Sequence, residues 1–104
     1  MITRSRAEEW TIPQGGKTTV VETDVLWGNF QFLSVILPLM TGNKISLEVS
    51  EDMVNFYPLI APDGKQMEIA SNAAHIIETG RFKYVRLVSS ASESAKRTIK
   101  VFGF

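Results

Sequence analysis

Three segments of this chain alternate apolar and polar residues with a period of two. In "KISLEVS" (44–50), Ile45, Leu47 and Val49 fall on one side and Ser46, Glu48 and Ser50 on the other. In "KYVRLVS" (83–89), Val85 and Leu87 oppose Tyr84, Arg86 and Val88. In "RTIKVFGF" (97–104), Ile99 and Val101 oppose Thr98, Lys100 and Phe102. Side chains on a strand point alternately to its two faces, so each segment reads as a strand with one buried side. "KTTVVE" (17–22) is a β-branched run after the Gly15-Gly16 turn. "FQFLSVILP" (30–38) is apolar on both sides and is expected to be a central strand covered on both faces. No segment sustains i, i+3, i+4, i+7 spacing over three turns. The best helical candidate is "SNAAHIIETG" (71–80), where Asn72 could cap and Gly80 could stop a short turn. An extended conformation fits that segment equally well.

Turn signals recur about every ten residues: Gly15-Gly16, Gly28-Asn29, Gly42-Asn43, Glu51-Asp52, Pro62-Asp63-Gly64, Gly80 and the Ser/Ala stretch 89–94. In "APDG" (61–64), Pro62 presets φ for the second turn position and Gly64 suits the fourth, as in a type I turn. Short strands at this spacing, with no helices between them, predict an all-β fold. With 104 residues there is room for one core. The expected architecture is a single-domain antiparallel β-sandwich over residues 1–104, jelly-roll-like, with eight or so strands. Its core should contain Ile45, Leu47, Val49, Val85, Leu87, Ile99 and Val101. Residues 1–10, "MITRSRAEEW", are polar enough to form an N-terminal arm that orders against a partner.

Charge and composition narrow the function classes. Eleven basic and eleven acidic residues cancel, and the densest basic group, Lys96-Arg97 with Lys100, is the size of a solvated strand face. No nucleic-acid partner is expected. The absence of cysteine rules out disulfides, thiolate chemistry and cysteine-based metal sites, and suits a reducing cytoplasm. The apolar run 25–40 has 16 residues and contains Gly28, Asn29, Gln31, Ser34 and Pro38. It falls short of the about 20 apolar residues a spanning helix needs, and no leader pattern opens the sequence. A soluble protein with no membrane partner is expected.

Candidate chemical groups are few. Glu51, Asp52 and Asp63 are the carboxylates a glycosidase would need, but such a pair must face each other across a sugar. Here they sit at turns, where Asp serves backbone hydrogen bonding. "SEDMVN" (50–55) offers too few oxygens for a calcium loop. His75 is the only histidine, with no G-x-S-x-G nucleophile turn to pair with and no cysteines to complete a zinc site. Gly15-Gly16-Lys17-Thr18 lacks the spacing of a phosphate loop. No catalytic residue, metal site or cofactor is therefore expected. The aromatics say more. Phe56 and Tyr57 are adjacent, so in a strand one of them leaves the core, and Phe102 and Phe104 lie opposite the Ile99/Val101 side. Trp10, Phe56, Tyr57, Phe102 and Phe104 are the candidate partner contacts.

The order of motifs in the second half brings a family into view. "ISLEVSEDMVNFYPL" (45–59) resembles the hairpin of small structural proteins of tailed bacteriophages, a strand followed by S-(D/E)-D, an aromatic and P-L. The likeness continues through "APDGK" and "FKYVRLVSS" to "SAKRTIKVFGF", which is similar to their A-x-R-T-I ending. The resemblance implies a jelly-roll virion protein assembled in the host cytoplasm, of the capsid decoration (cement) type. It would bind the major capsid protein or another virion protein on the outside of the head, and would itself be a homo-oligomer. A phage tail or fibre component is an alternative. A rival likeness is to discoidin-like carbohydrate-binding modules, echoed in "RFKYVRL" and "IKVFGF", which would make a glycan the partner. Met53 and Val54 stand where those modules have a glycine turn, and Phe56 stands where they have tryptophan.

Overall fold

The period-two segments form strands in a computed structural model that describes residues 6–20 and 26–104. In chain order the elements are β1 (Arg6–Ile12), a 3₁₀ turn (Trp27–Asn29), β2 (Phe32–Leu37), β3 (Lys44–Ser50), β4 (Tyr57–Pro58), β5 (Glu68–Ala70), β6 (Ala73–Glu78), β7 (Tyr84–Ser89) and β8 (Arg97–Gly103). One sheet, here sheet A, has the order β1-β8-β2-β6. In the other, sheet B, β3 pairs with β7 along one edge and with β4 and β5, end to end, along its other edge. All these pairings are antiparallel.

The pairing follows a simple rule. Lys17–Thr19 runs along the outer edge of β7: the Ser89 N–H donates to the Lys17 carbonyl (2.7 Å) and the Thr19 N–H to that of Leu87 (3.0 Å). Early segments thus pair with late ones in nested order: β1 with β8, Lys17–Thr19 with β7, β2 with β6, and β3 with β4 and β5. The chain is one long antiparallel hairpin, rolled until β8 also meets β2 and β7 also meets β3. That is the jelly-roll arrangement expected from the strand count.

Alternation fixes which side faces in. Ile45, Leu47 and Val49 of β3, Val85 and Leu87 of β7, and Ile99 and Val101 of β8 are all buried, together with Leu33, Val35 and Leu37 of β2. At one end of the core Trp10 and Trp27 meet edge to face, with centroids 5.2 Å apart, and Phe30 leans on Trp27 at 5.6 Å. Gly103 is required there, because a Cβ would lie 2.7 Å from Phe30 Cγ.

Two expectations change and one open alternative is settled. The 30–38 segment is central, but within β2 only Leu33, Val35 and Leu37 are buried, while Ile36 on the opposite side is exposed. Apolarity on both sides of a strand does not ensure that both are covered. The proposed arm at residues 1–10 is strand from Arg6 onward, paired with β8; residues 1–5 lie outside the described residues, as do Val21 and Glu22 of the β-branched run. The 71–80 segment resolves to the extended alternative, β6, entered through Asn72 at φ 57° and left through Gly80 at φ 67°. Among the described residues no helix is long and apolar enough to cross a membrane.

Among the described residues one charged side chain lies deep in this framework. Glu93, between β7 and β8, is fully buried, and its carboxylate accepts the N–H groups of Thr41 (2.8 Å) and Gly42 (2.9 Å), the Ser89 hydroxyl (2.7 Å) and Arg97 Nε (2.9 Å). Its backbone closes the same corner: its carbonyl accepts the Gly15 N–H and its own N–H donates to the Gly16 carbonyl. Gly42 can be only glycine, since a Cβ would collide with Ser89 Oγ. Burial alone would raise the Glu93 pKa, but the Gly42 N–H, the Ser89 hydroxyl, Arg97 and the Thr41 N–H together hold it at about 2.

Two outcomes follow. A buried leucine contributes about 1.5–3 kcal/mol and an unpaired buried carboxylate costs more, within a total stability of about 5–15 kcal/mol. Leu47→Asp or Leu87→Asp should therefore leave no folded protein by circular dichroism. Glu48→Ala, which removes only the half-exposed pairing to Arg86, should keep the fold. For Glu93, the folded-state pKa lies below the ordinary value of 4.5. Its stabilisation, on the order of 3 kcal/mol, is present above that value and is lost as pH falls toward 2. Glu93→Gln should cost about 2–4 kcal/mol at pH 7 and flatten the acid dependence, as read from urea denaturation at pH 7 and pH 3.

Candidate functional site

The two outward faces of the sandwich differ in chemistry. On sheet B, Ser46 and Glu48 of β3 stand beside Arg86 of β7, whose guanidinium pairs with Glu48 (Nε to Oε1, 2.7 Å) and lies 3.9 Å over the Phe56 ring. Lys44 and Glu68 pair at 4.0 Å across β3 and β5. This face is solvated by charge.

Sheet A presents the opposite. Residues directly across an antiparallel ladder share a face. The register Phe102–Ser34–Ile76 and Lys100–Ile36–Ala74 therefore places Phe102, Ile36 and Ile76 together on the outside. Phe32 and Phe104 exchange both backbone hydrogen bonds at 3.0 Å, and their rings stack with centroids 5.6 Å apart. Phe102 is 39% exposed, Phe104 45% and Ile76 72%. Glu9, opposite Lys100, and Glu78, opposite Phe32, mark the polar rim.

The candidate contacts divide accordingly. Phe102 and Phe104 lie on this apolar face. Trp10 does not: it is 3% exposed, in the aromatic core cluster, and is unavailable to a partner. Its side of β1 faces inward because it is paired with Ile99. Phe56 is half-buried beneath Arg86, so it does not offer an open ring. Tyr57 is 63% exposed but lies elsewhere, at an open groove of about 660 Å³ between the β4 hairpin and the segment following β6, where Leu59, Met67 and Phe82 form apolar walls. The sequence reading missed Phe32, Ile36 and Ile76. The two-sided apolarity of 30–38 was the available signal for the first two.

The carboxylates and the histidine each have a local task. Asp52 Oδ1 accepts the N–H groups of Val54 (2.9 Å) and Asn55 (2.8 Å) and the Ser50 hydroxyl (3.0 Å), while Oδ2 accepts Asn55 Nδ2 (2.9 Å). The Asn55 and Val54 N–H groups, aided by the side chains of Asn55 and Ser50, hold its carboxyl well below the usual carboxylate range. A shift in that direction makes it a weaker base. The turn also carries Met53 at φ 66°. Glu51 accepts the Lys83 N–H (2.7 Å), and Asp63 accepts the Lys65 N–H (2.9 Å) in the "APDG" turn, which the Gly64 N–H closes on the Ala61 carbonyl (2.8 Å). His75 Nε2 lies 2.8 Å from the Ala70 carbonyl oxygen. Among the described residues no three His, Asp or Glu side chains come together as metal ligands.

No known family model matches the sequence, and no curated protein matches it. Among solved structures the chain is similar to the SPBc2 prophage-derived protein YomS, with a TM-score of 0.60 at 15% identity, over 99% of this chain and 96% of that one. At that identity the likeness is one of fold, and it spans the whole sandwich.

Proposed function

We propose that this protein is a non-catalytic virion structural protein of a tailed bacteriophage that decorates the outside of the head by docking on the major capsid protein. The observation that carries the reading is the apolar outer face of sheet A. Four strands about 4.8 Å apart and about six residues long give a face of roughly 400 Å². Within that whole face the exposed Phe102, Phe104, Ile36 and Ile76 form the kind of contiguous apolar patch that marks an interaction site. Aromatic and aliphatic side chains interspersed with a single cation, Lys100 opposite Ile36, and bordered by Glu9 and Glu78 are also the composition of a protein interface. The hairpin and C-terminal motifs that resemble small phage structural proteins support the reading, as does a fold shared with a prophage-derived protein.

Carbohydrate binding is the second reading, favoured by one observation: Tyr57 stands exposed at the mouth of the groove, with Asn55 beside it as a hydrogen-bonding group. An aromatic face there could stack on a pyranose ring.

The two readings use different surfaces, so single substitutions separate them. The wild-type protein added to undecorated heads should saturate at a fixed ratio to capsid subunits and raise their resistance to heat, because a ligand that binds only the native assembly stabilises it. Phe102→Ser should lose that binding while keeping its own circular dichroism spectrum, and Tyr57→Ala should bind heads normally. Glycan-array signals abolished by Tyr57→Ala, with no binding to heads, would replace the virion reading with the carbohydrate one.

A further inference from the structure

The two edges of sheet A are protected unequally. Neighbouring residues of an antiparallel strand direct their backbone groups to alternate sides. The Thr79 N–H donates to the Gln31 carbonyl (3.0 Å), which points the backbone of Ala73, His75 and Ile77 toward β2. The N–H and C=O groups of Ala74, Ile76 and Glu78 therefore lie along the free edge of β6. Among the described residues these groups have no hydrogen-bond partner on that side. The other edge, β1, carries Arg6, Glu8 and Glu9, and its Thr11 carbonyl is taken by the Val20 N–H (3.0 Å). Charge on an edge strand is the usual protection against pairing with another chain. β6 reads "AAHIIE", with Glu78 its one formal charge and Ile76 72% exposed at its centre.

We propose that the free edge of β6 pairs with β6 of a second copy, antiparallel across a two-fold axis at Ile76. A two-fold contact brings the same patch of each copy together, and β6 is complementary to itself in one register. With Ile76 opposite Ile76 of the second copy, Ala74 falls opposite Glu78 and Glu78 opposite Ala74. All the free-edge residues are then hydrogen-bonded pairs, and each pair exchanges both its bonds. The two glutamates stand apart at the ends. Centring the register on Glu78 instead would set like charges face to face, which is destabilising. The same pairing brings the two most exposed isoleucine side chains together on the outer face, joining both copies' apolar surfaces into one. Edge pairing of six residues a side buries less than the roughly 1,000 Å² of a stable interface, so the isolated dimer is weak and concentration-dependent. The inference concerns the free protein and does not depend on the head being its target.

The chain has no cysteine, so an introduced one reports the contact directly. Directly opposed residues of a hydrogen-bonded pair have Cα atoms about 5.5 Å apart, which a disulfide spans. Mild oxidation of Ile76→Cys should give a covalent dimer on a non-reducing gel. Ile36→Cys, on the same face but one strand inward, should stay monomeric. In sedimentation velocity the wild-type mass should rise with concentration toward twice the monomer. Ile76→Lys, which places two cations on the axis, should remain monomeric with an unchanged circular dichroism spectrum. A wild-type protein that stays monomeric at millimolar concentration would overturn the proposal. So would cross-linking of Ile36→Cys as readily as Ile76→Cys, which would indicate association through the face.

Discussion

Glu93 is where the two sheets are tied together. A rolled hairpin must send its chain from one sheet to the other several times, and three of those corners meet at this residue. The corner leaving β1 reaches it through Gly15 and Gly16, the corner between β2 and β3 through Thr41 and Gly42, and its own corner joins β7 to β8. A carboxylate suits this task because it has several acceptor sites and the corners supply donors: two backbone N–H groups, a hydroxyl and a guanidinium. The Gly42 N–H and the Ser89 hydroxyl would otherwise be polar groups turned toward a dry interior, where leaving them unmatched is costly. The same tight convergence explains Gly42, whose missing side chain is the space occupied by Ser89.

Much of the sandwich was legible in the sequence, because alternation states which residues share a face and a one-residue slip would expose them all. Ile45, Leu47, Val49, Val85, Leu87, Ile99 and Val101 are the result. Alternation is silent about what lies above a face. Phe32 and Ile36 looked like a second covered side, yet no element of the described structure packs over Ile36. Trp10, in a polar N-terminal stretch, looked like a partner contact and is core, because its burial depends on Trp27, seventeen positions later and outside any strand. Glu93 was harder still. It sits in "SSASESAKR", a stretch whose composition signals only a turn, and its partners at Thr41 and Gly42 are 52 and 51 residues away. Only the rolled topology brings them together.

The candidate site was legible in part for the same reason. Phe102 and Phe104 followed from the period of β8, which is local. Phe56 did not, because its ring is shielded by Arg86 from a neighbouring segment, and Arg86 is held in place by Glu48. The cation over the ring leaves sheet B with a polar surface although it includes an aromatic residue. Sheet A has no comparable cover. Its acidic groups Glu9 and Glu78 stand on the two edge strands, Lys100 is the one outward charge on an inner strand, and the stacked pair Phe32–Phe104 fills the space beside Phe102. The asymmetry between the faces is thus built from cross-strand neighbours rather than from overall composition, which is evenly balanced in charge.

Ile76 belongs to two surfaces at once. Its side chain lies on the apolar face of sheet A, while its backbone lies on the free edge of β6, whose one formal charge is Glu78. Hydrogen bonds at a sheet edge run in the plane of the sheet, and side chains project perpendicular to it. Pairing along β6 would therefore leave most of the outer face uncovered, and would set two copies of it side by side. A face of roughly 400 Å² holds a partner weakly by itself. Two such faces fixed in one plane would bind a repeating surface with the second contact made intramolecular, which raises overall affinity without any new kind of contact. A weak edge and a weak face become effective together only on a target that repeats, and a capsid lattice is a target of that kind.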